Sequence, residues 1–375
     1  SLQMVLAIRL QDFISIRIDI FFNLIKLISI FYFFSQDSYM IVEYFFFCTI
    51  LTIMGSILGF IYVKYRLEFK IRELVRAVKL SKDYYRKTKS LAFSSAAITI
   101  GFLLFYELDL ILVGYLFGIE EIAIYAIAFT LVGFVRRIWS IIYSPISIRI
   151  NHFVGLGDNK GVIKLLNNLI YYTFPICVIM IVTLILFAET LISTWVGMDY
   201  IGSIILFQVL LISFIPSYLT NPGFHYFISH ERTDYLYGLA LIMPFLFYTN
   251  VILTYEEFGL LGFAFGKVVV TFTELTICWA GLRNIILPGN IIKKWILPII
   301  AWTLFAIYFI PVLIGNMNPY ETTNTLDLLQ IILLMGGFMF LSYLSFFCIF
   351  KKDRLDVFNL FRFLLGKFLS IRVLR

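Results

Sequence analysis

Ten ionisable side chains lie inside apolar stretches of this sequence: Arg17, Lys26, Arg136, Arg137 and Lys267 against Asp19, Glu43, Glu107, Asp109 and Glu274. A charge in hydrocarbon costs at least about 2.5 kcal/mol on insertion scales, so such groups turn toward other helices or water-filled cavities. Five cations against five anions is the balance expected of paired burial, and it sets no net binding charge. Spacing shows which way each helix faces. Asp12, Ser15, Asp19, Asn23, Lys26 and Ser29 recur at three and four residues, one stripe of a helix. Thr130, Gly133, Arg137, Ser140, Ser144 and Ser147 form a second, small and polar stripe centred on an arginine. A guanidinium there suits a phosphate through bidentate hydrogen bonds, or a buried pair with Glu107 or Asp109. Arg136 is turned about 100° away and reads as structural. Lys267, Thr271 and Glu274 share a face, with Gly259, Gly262 and Gly266 on another. Lys267 is thus either a second site for an anionic substrate or the partner of a carboxylate. Glu107 and Asp109, two residues apart, are separated by about 200° around a helix, so they do not serve one catalytic centre.

Other chemistry is hard to find. Cys48, Cys177, Cys278 and Cys348 stand singly in apolar runs, and His152, His225 and His230 form no ligand cluster, so neither a metal site nor a cofactor is expected. The sequence has no Walker A loop, no HExxH and no GxSxG. No segment between the apolar runs is long enough to fold as a catalytic domain. Transport fits better than catalysis, and the chain is read as not an enzyme.

The elements that must position these residues are membrane-spanning helices. The chain has 375 residues, 61% of them hydrophobic, and a mean hydropathy of +0.94. Several runs reach the ~20 residues a helix needs to cross the bilayer core. Ten spans are expected, at about 13–34, 40–63, 91–117, 121–148, 165–188, 203–228, 235–255, 258–282, 295–315 and 327–350. The 64–90 stretch holds ten Lys or Arg, and Arg149, Lys160, Lys164, Arg232, Arg283, Lys293, Lys294 and the tail from Lys351 fall on the same side. The alternate connections SQDS, GIEE, ETLISTWVGMDY, YEEF and NMNPYETTNTLD hold none. The positive-inside rule then puts both ends of the chain in the cytoplasm. Leu67, Ile71, Leu74 and Val78 make one apolar stripe in the 64–90 stretch, which predicts an amphipathic helix on the membrane surface, with no nucleic-acid role. The tail 351–375 reads the same way.

The stretch YELDLILVGYLFGIEEIAIYAIA, residues 106–128, resembles the start of the second half of polysaccharide flippases, in the superfamily of MATE multidrug exporters and lipid II flippases; Asp109, Gly114, Gly118, Tyr125 and Ala126 carry the likeness. SPISIRINHFVGLGDNKGVIKLL resembles the family's following cytoplasmic loop. ETLISTWVGMDY, with Trp195, Gly197 and Tyr200, resembles its periplasmic segment. NVILTYEEFGLLGFAFGK resembles the next periplasmic turn through Asn250, Gly259 and Gly262. Order and spacing of these pieces carry the likeness, over about residues 10–350.

The resemblance implies an all-α polytopic protein of MATE-like architecture, this chain supplying helices five to fourteen of fourteen. Residues 1–63 would be the last two helices of the N-lobe, 64–90 the cytoplasmic linker, 91–287 the six-helix C-lobe, 288–350 two additional helices and 351–375 the tail. The first four helices would be missing from the chain. It further implies flipping of undecaprenyl-diphosphate-linked oligosaccharide across the inner, cytoplasmic membrane, for O-antigen, capsule or exopolysaccharide synthesis, by alternating access. The expected partners are the lipid-linked oligosaccharide and membrane lipids, with glycosyltransferases or a polysaccharide polymerase as candidate protein partners. Arg137, Lys267 and Lys26, in that order, are the candidates for drawing the pyrophosphate into a cavity, and Asp109 is the candidate ion-coupling site. Glu107, Arg136, Asp19 and Glu274 are the candidates for structural ion pairs. A lipid II flippase and a cation-coupled multidrug exporter are the alternatives. A polytopic glycosyltransferase would require a larger extracytoplasmic loop.

Overall fold

A computed structural model describes residues 12–34, 40–66, 82–282, 288–315 and 325–349. Among these, almost every residue is helical. In chain order the helices are α1 (Asp12–Phe34), α2 (Ile41–Arg66), α3 (Lys82–Tyr106), α4 (Leu108–Phe117), α5 (Ile119–Gly155), α6 (Asn159–Leu186), α7 (Ala188–Val196), α8 (Gly202–Ser229), α9 (Thr233–Phe258), α10 (Leu260–Leu282), α11 (Pro288–Gly315) and α12 (Thr325–Ile349). A 3-10 turn, Met198–Tyr200, follows α7. The chain is an all-α, multi-pass membrane protein: nine spans among the described residues are long and apolar enough to cross a bilayer.

Three local features differ from the sequence expectation. The span count is nine, not ten, because α1 carries Asp12, Arg17, Asp19 and Lys26 within 23 residues. The span expected at 91–117 starts inside a helix that begins at Lys82, and it is broken at Glu107 into α3 and α4. The segment ETLISTWVGMDY, expected as a connection, folds as α7 and the 3-10 turn; Leu191 and Ile192 give it an apolar side that is buried. Residues 67–81 of the expected linker helix and the whole tail 351–375 lie outside the described residues.

The chain divides into two units, Ser1–Lys87 and Thr88–Arg375. In the first, α1 packs on α2. Phe22 of α1 and Leu51 of α2 are buried, Phe22 lying against Gly55, and Lys26 donates a hydrogen bond to Thr52 Oγ1 at 2.9 Å. In the second, α8 is central: it packs on α10, α5 and α6, while α9 lies along α10, and α11 and α12 cover α6.

Proline shapes the middle of this unit. Pro222 has no N–H, so the Tyr218 carbonyl, four residues back in α8, loses its helical donor. The hydroxyl of Tyr143 on α5 donates to that carbonyl instead, at 3.1 Å. Trp139 stacks edge-on against Tyr218 with centroids 4.8 Å apart, and the Tyr218 hydroxyl bonds Thr173 on α6. One buried tyrosine therefore ties three helices together.

Close approach fixes α10 and α3 against α9. A Cβ at Gly262 would lie 2.7 Å from Thr254 Oγ1, and one at Gly101 would lie 2.6 Å from the Ala240 carbonyl oxygen. Only glycine fits at either place. Gly266 also faces α9, beside Phe247 and Asn250, whereas Gly259 sits in the turn before α10.

Candidate functional site

The interruption at Glu107 explains why an apolar segment keeps two carboxylates. It exposes a helix C-terminus and a helix N-terminus side by side within the span. The last carbonyls of α3 lack helical donors, and two of them are met by side chains from other helices. Tyr248 on α9 donates its hydroxyl to Leu104 O at 2.6 Å, and Lys267 on α10 donates to Phe105 O at 2.7 Å. The negative end of the α3 dipole favours the ammonium. Asp109 stands in the first turn of α4, where the positive end of that helix favours a carboxylate.

The two charges meet. Lys267 Nζ is 2.9 Å from Asp109 Oδ2, with the two side chains 3% and 0% exposed. Tyr125 on α5 donates its hydroxyl to the same oxygen at 2.8 Å, and the Leu110 N–H donates to Oδ1 at 3.0 Å. Both oxygens of Asp109 are thus occupied. Around the ammonium stand the rings of Phe105, Phe247, Tyr106 and Phe129, with centroids 4.5, 4.8, 5.0 and 5.2 Å away. Their electron-rich faces favour a cation in a dry setting. Four elements, α3, α4, α5 and α10, supply the polar groups that close this site, and α9 adds Tyr248 and Phe247.

The remaining charges sit differently. Glu107 is exposed, facing away from buried Asp109. Arg136 is partly buried, its guanidinium lying over Tyr106 at 4.3 Å and Phe129 at 4.8 Å. Arg137 is exposed, with the ring of Phe134 as its one ring contact among the described residues, at 5.6 Å. The exposed positions Thr130, Arg137 and Ser140 keep that stripe of α5 open on the surface of this unit. In the first unit Asp19 and Asn23 are exposed and Lys26 is partly buried. Glu274 is 8% exposed, beside Thr220 of α8.

Asp109 therefore pairs with Lys267, not with Arg137. Among the described residues, none of Glu107, Arg136, Asp19 and Glu274 stands within ion-pair distance of an opposite charge. For Arg136 the aromatic faces of Tyr106 and Phe129 stand where an anion was expected, and the ammonium of α10 nearest to Glu107 and Glu274 is bound to Asp109. Sequence reasoning missed the helix break, which no Gly or Pro marks, and with it the roles of Tyr248 and the Phe105 carbonyl. The run of polar and acidic residues in YELD was the available signal.

Chemically, the charges of the closed site are spent on each other, while the α5 stripe offers a guanidinium with no hydrogen-bonded partner among the described residues, set among small polar side chains. In comparisons with known proteins, the chain matches no family model, no curated protein and no solved structure.

Proposed function

We propose that this chain belongs to a flippase that moves undecaprenyl-diphosphate-linked oligosaccharide across the cytoplasmic membrane by alternating access. The supporting observation is the open polar stripe of α5. An exposed arginine flanked by Thr130 and Ser140 on an apolar helix is costly against lipid tails. It is well placed against the pyrophosphate of a lipid whose tail stays in the bilayer. Lys267, the second candidate for that phosphate, already has Asp109 as its counter-ion, which leaves Arg137 as the group to meet the anion. Lys26, the third candidate, donates to Thr52 within the first unit. The orientation with basic segments in the cytoplasm follows from the charge of the connections. The cationic stripe disfavours the drug-exporter alternative, whose substrates would be cations.

The test is export of surface glycan by cells carrying Arg137→Gln. A lost charge-assisted contact of about 1.5–3 kcal/mol lowers transport roughly ten- to hundredfold, with lipid-linked repeat units accumulating on the cytoplasmic side. Unchanged surface glycan in cells from which the gene has been deleted would overturn the proposal.

A further inference from the structure

Among the described residues of the second unit, Glu274 is the buried acid that the closed site does not use. It lies on α10 two turns from Lys267, about 10 Å along the axis. It is more than nine-tenths buried, and among the described residues no cation stands within ion-pair distance. Its neighbours were followed element by element. From α8 it meets the Thr220 hydroxyl, and α8 carries no lysine or arginine. α9, packed along α10, has only Asp234 at one end and Glu256 and Glu257 at the other as charged residues. From α3 comes Tyr106, whose hydroxyl feels both Glu274 and Arg136 and lies beside Ser217. On α10 itself Cys278 is adjacent and Lys267 is bound to Asp109.

A carboxylate left in such a place without a counter-ion or several donors is far costlier than the neutral acid. The neutral acid needs little, above all one acceptor for its proton, and the Thr220 hydroxyl, which donates its own proton to Ser217 O at 2.9 Å, is placed to accept it. Asp109 differs on every point, its two oxygens meeting three donors, one of them an ammonium.

We infer that Glu274 is a proton-binding site: it holds a proton in this conformation and releases it when the contact among α3, α8 and α10 opens to water. Arg136 is the cation placed to answer the new negative charge, because it shares Tyr106 with Glu274 as a neighbour and has no hydrogen-bonded partner among the described residues. The exchanging carboxyl in this unit is Glu274, and Asp109 is a fixed counter-ion. The inference stands whether or not the transported molecule is a lipid-linked glycan.

Infrared spectroscopy of the full chain in lipid vesicles reads this directly. At neutral pH the wild type is expected to show the carbonyl stretch of a protonated carboxylic acid. That band shifts in heavy water while the protein stays folded, and it fades as the pH is raised. Glu274→Gln abolishes it, Glu107→Gln retains it, and Glu274→Asp keeps a displaced band, which guards against loss by misfolding. A band that survives Glu274→Gln, or one that neither exchanges nor titrates before the protein unfolds, would overturn the inference.

Discussion

Arg136 and Arg137 are consecutive residues, yet they belong to two regions that treat charge in opposite ways. The region behind Arg136 is closed: Lys267, Asp109, Tyr125, Tyr248 and the cut end of α3 satisfy one another, and aromatic rings seal them. The region in front of Arg137 is open: the guanidinium rests on one exposed ring among small polar residues. The difference teaches how to separate structural charge from working charge in a membrane protein. The residue type does not do it, since lysine and arginine are equally expensive in hydrocarbon. What separates them is whether the counter-charge and the hydrogen-bond acceptors come from the same folded unit.

That contrast can be broken most directly at Lys267. Lys267→Met leaves Asp109 buried without its cation, a change that costs about 3–5 kcal/mol. The double variant Lys267→Met/Asp109→Asn recovers much of it, because the orphan charge is gone. Thermal unfolding in detergent measures both, and equal losses in the single and double variants would show that the pair does not act as a unit. A smaller effect belongs to Tyr248→Phe, which leaves Leu104 O without its donor at the end of α3. About 1 kcal/mol is expected there, again by thermal unfolding. Arg137→Gln should shift stability by no more than about 0.5 kcal/mol, whatever its effect on the transport proposed above. A stability loss at Arg137 as large as that at Lys267 would erase the distinction between the two regions.

Much of this was legible in the sequence. The apolar runs of about 20 residues predict the helices, and the periodicity of α10 places Lys267, Thr271 and Glu274 on one face, all three buried in the structure. The opposite directions of Glu107 and Asp109 also follow from two-residue spacing. What was not legible is which anion Lys267 would find. The partners are 16 residues apart for Tyr125 and Asp109 but 162 for Lys267 and the Phe105 carbonyl, and helix periodicity carries no information over that distance. The break at Glu107 was hidden for a related reason. No Gly or Pro forces it; it is held open by Lys267 and Tyr248, side chains from far along the chain. Rotation about 100° away from the Arg137 stripe makes Arg136 structural and a candidate for an ion pair, but rotation does not say that Tyr106 and Phe129 wait there.

The broken helix also has a history during synthesis. Lys267 emerges from the ribosome 162 residues after Phe105, which at ~5–20 residues per second is about 8–30 s. For that interval α3 and α4 have no ammonium to satisfy either the cut end or Asp109. The two halves of the nascent segment are therefore joined into one closed site only when α10 arrives. Chains cut short before α10 should be retained by the insertion machinery or degraded, so the latest-made charge of the closed site acts as its quality check.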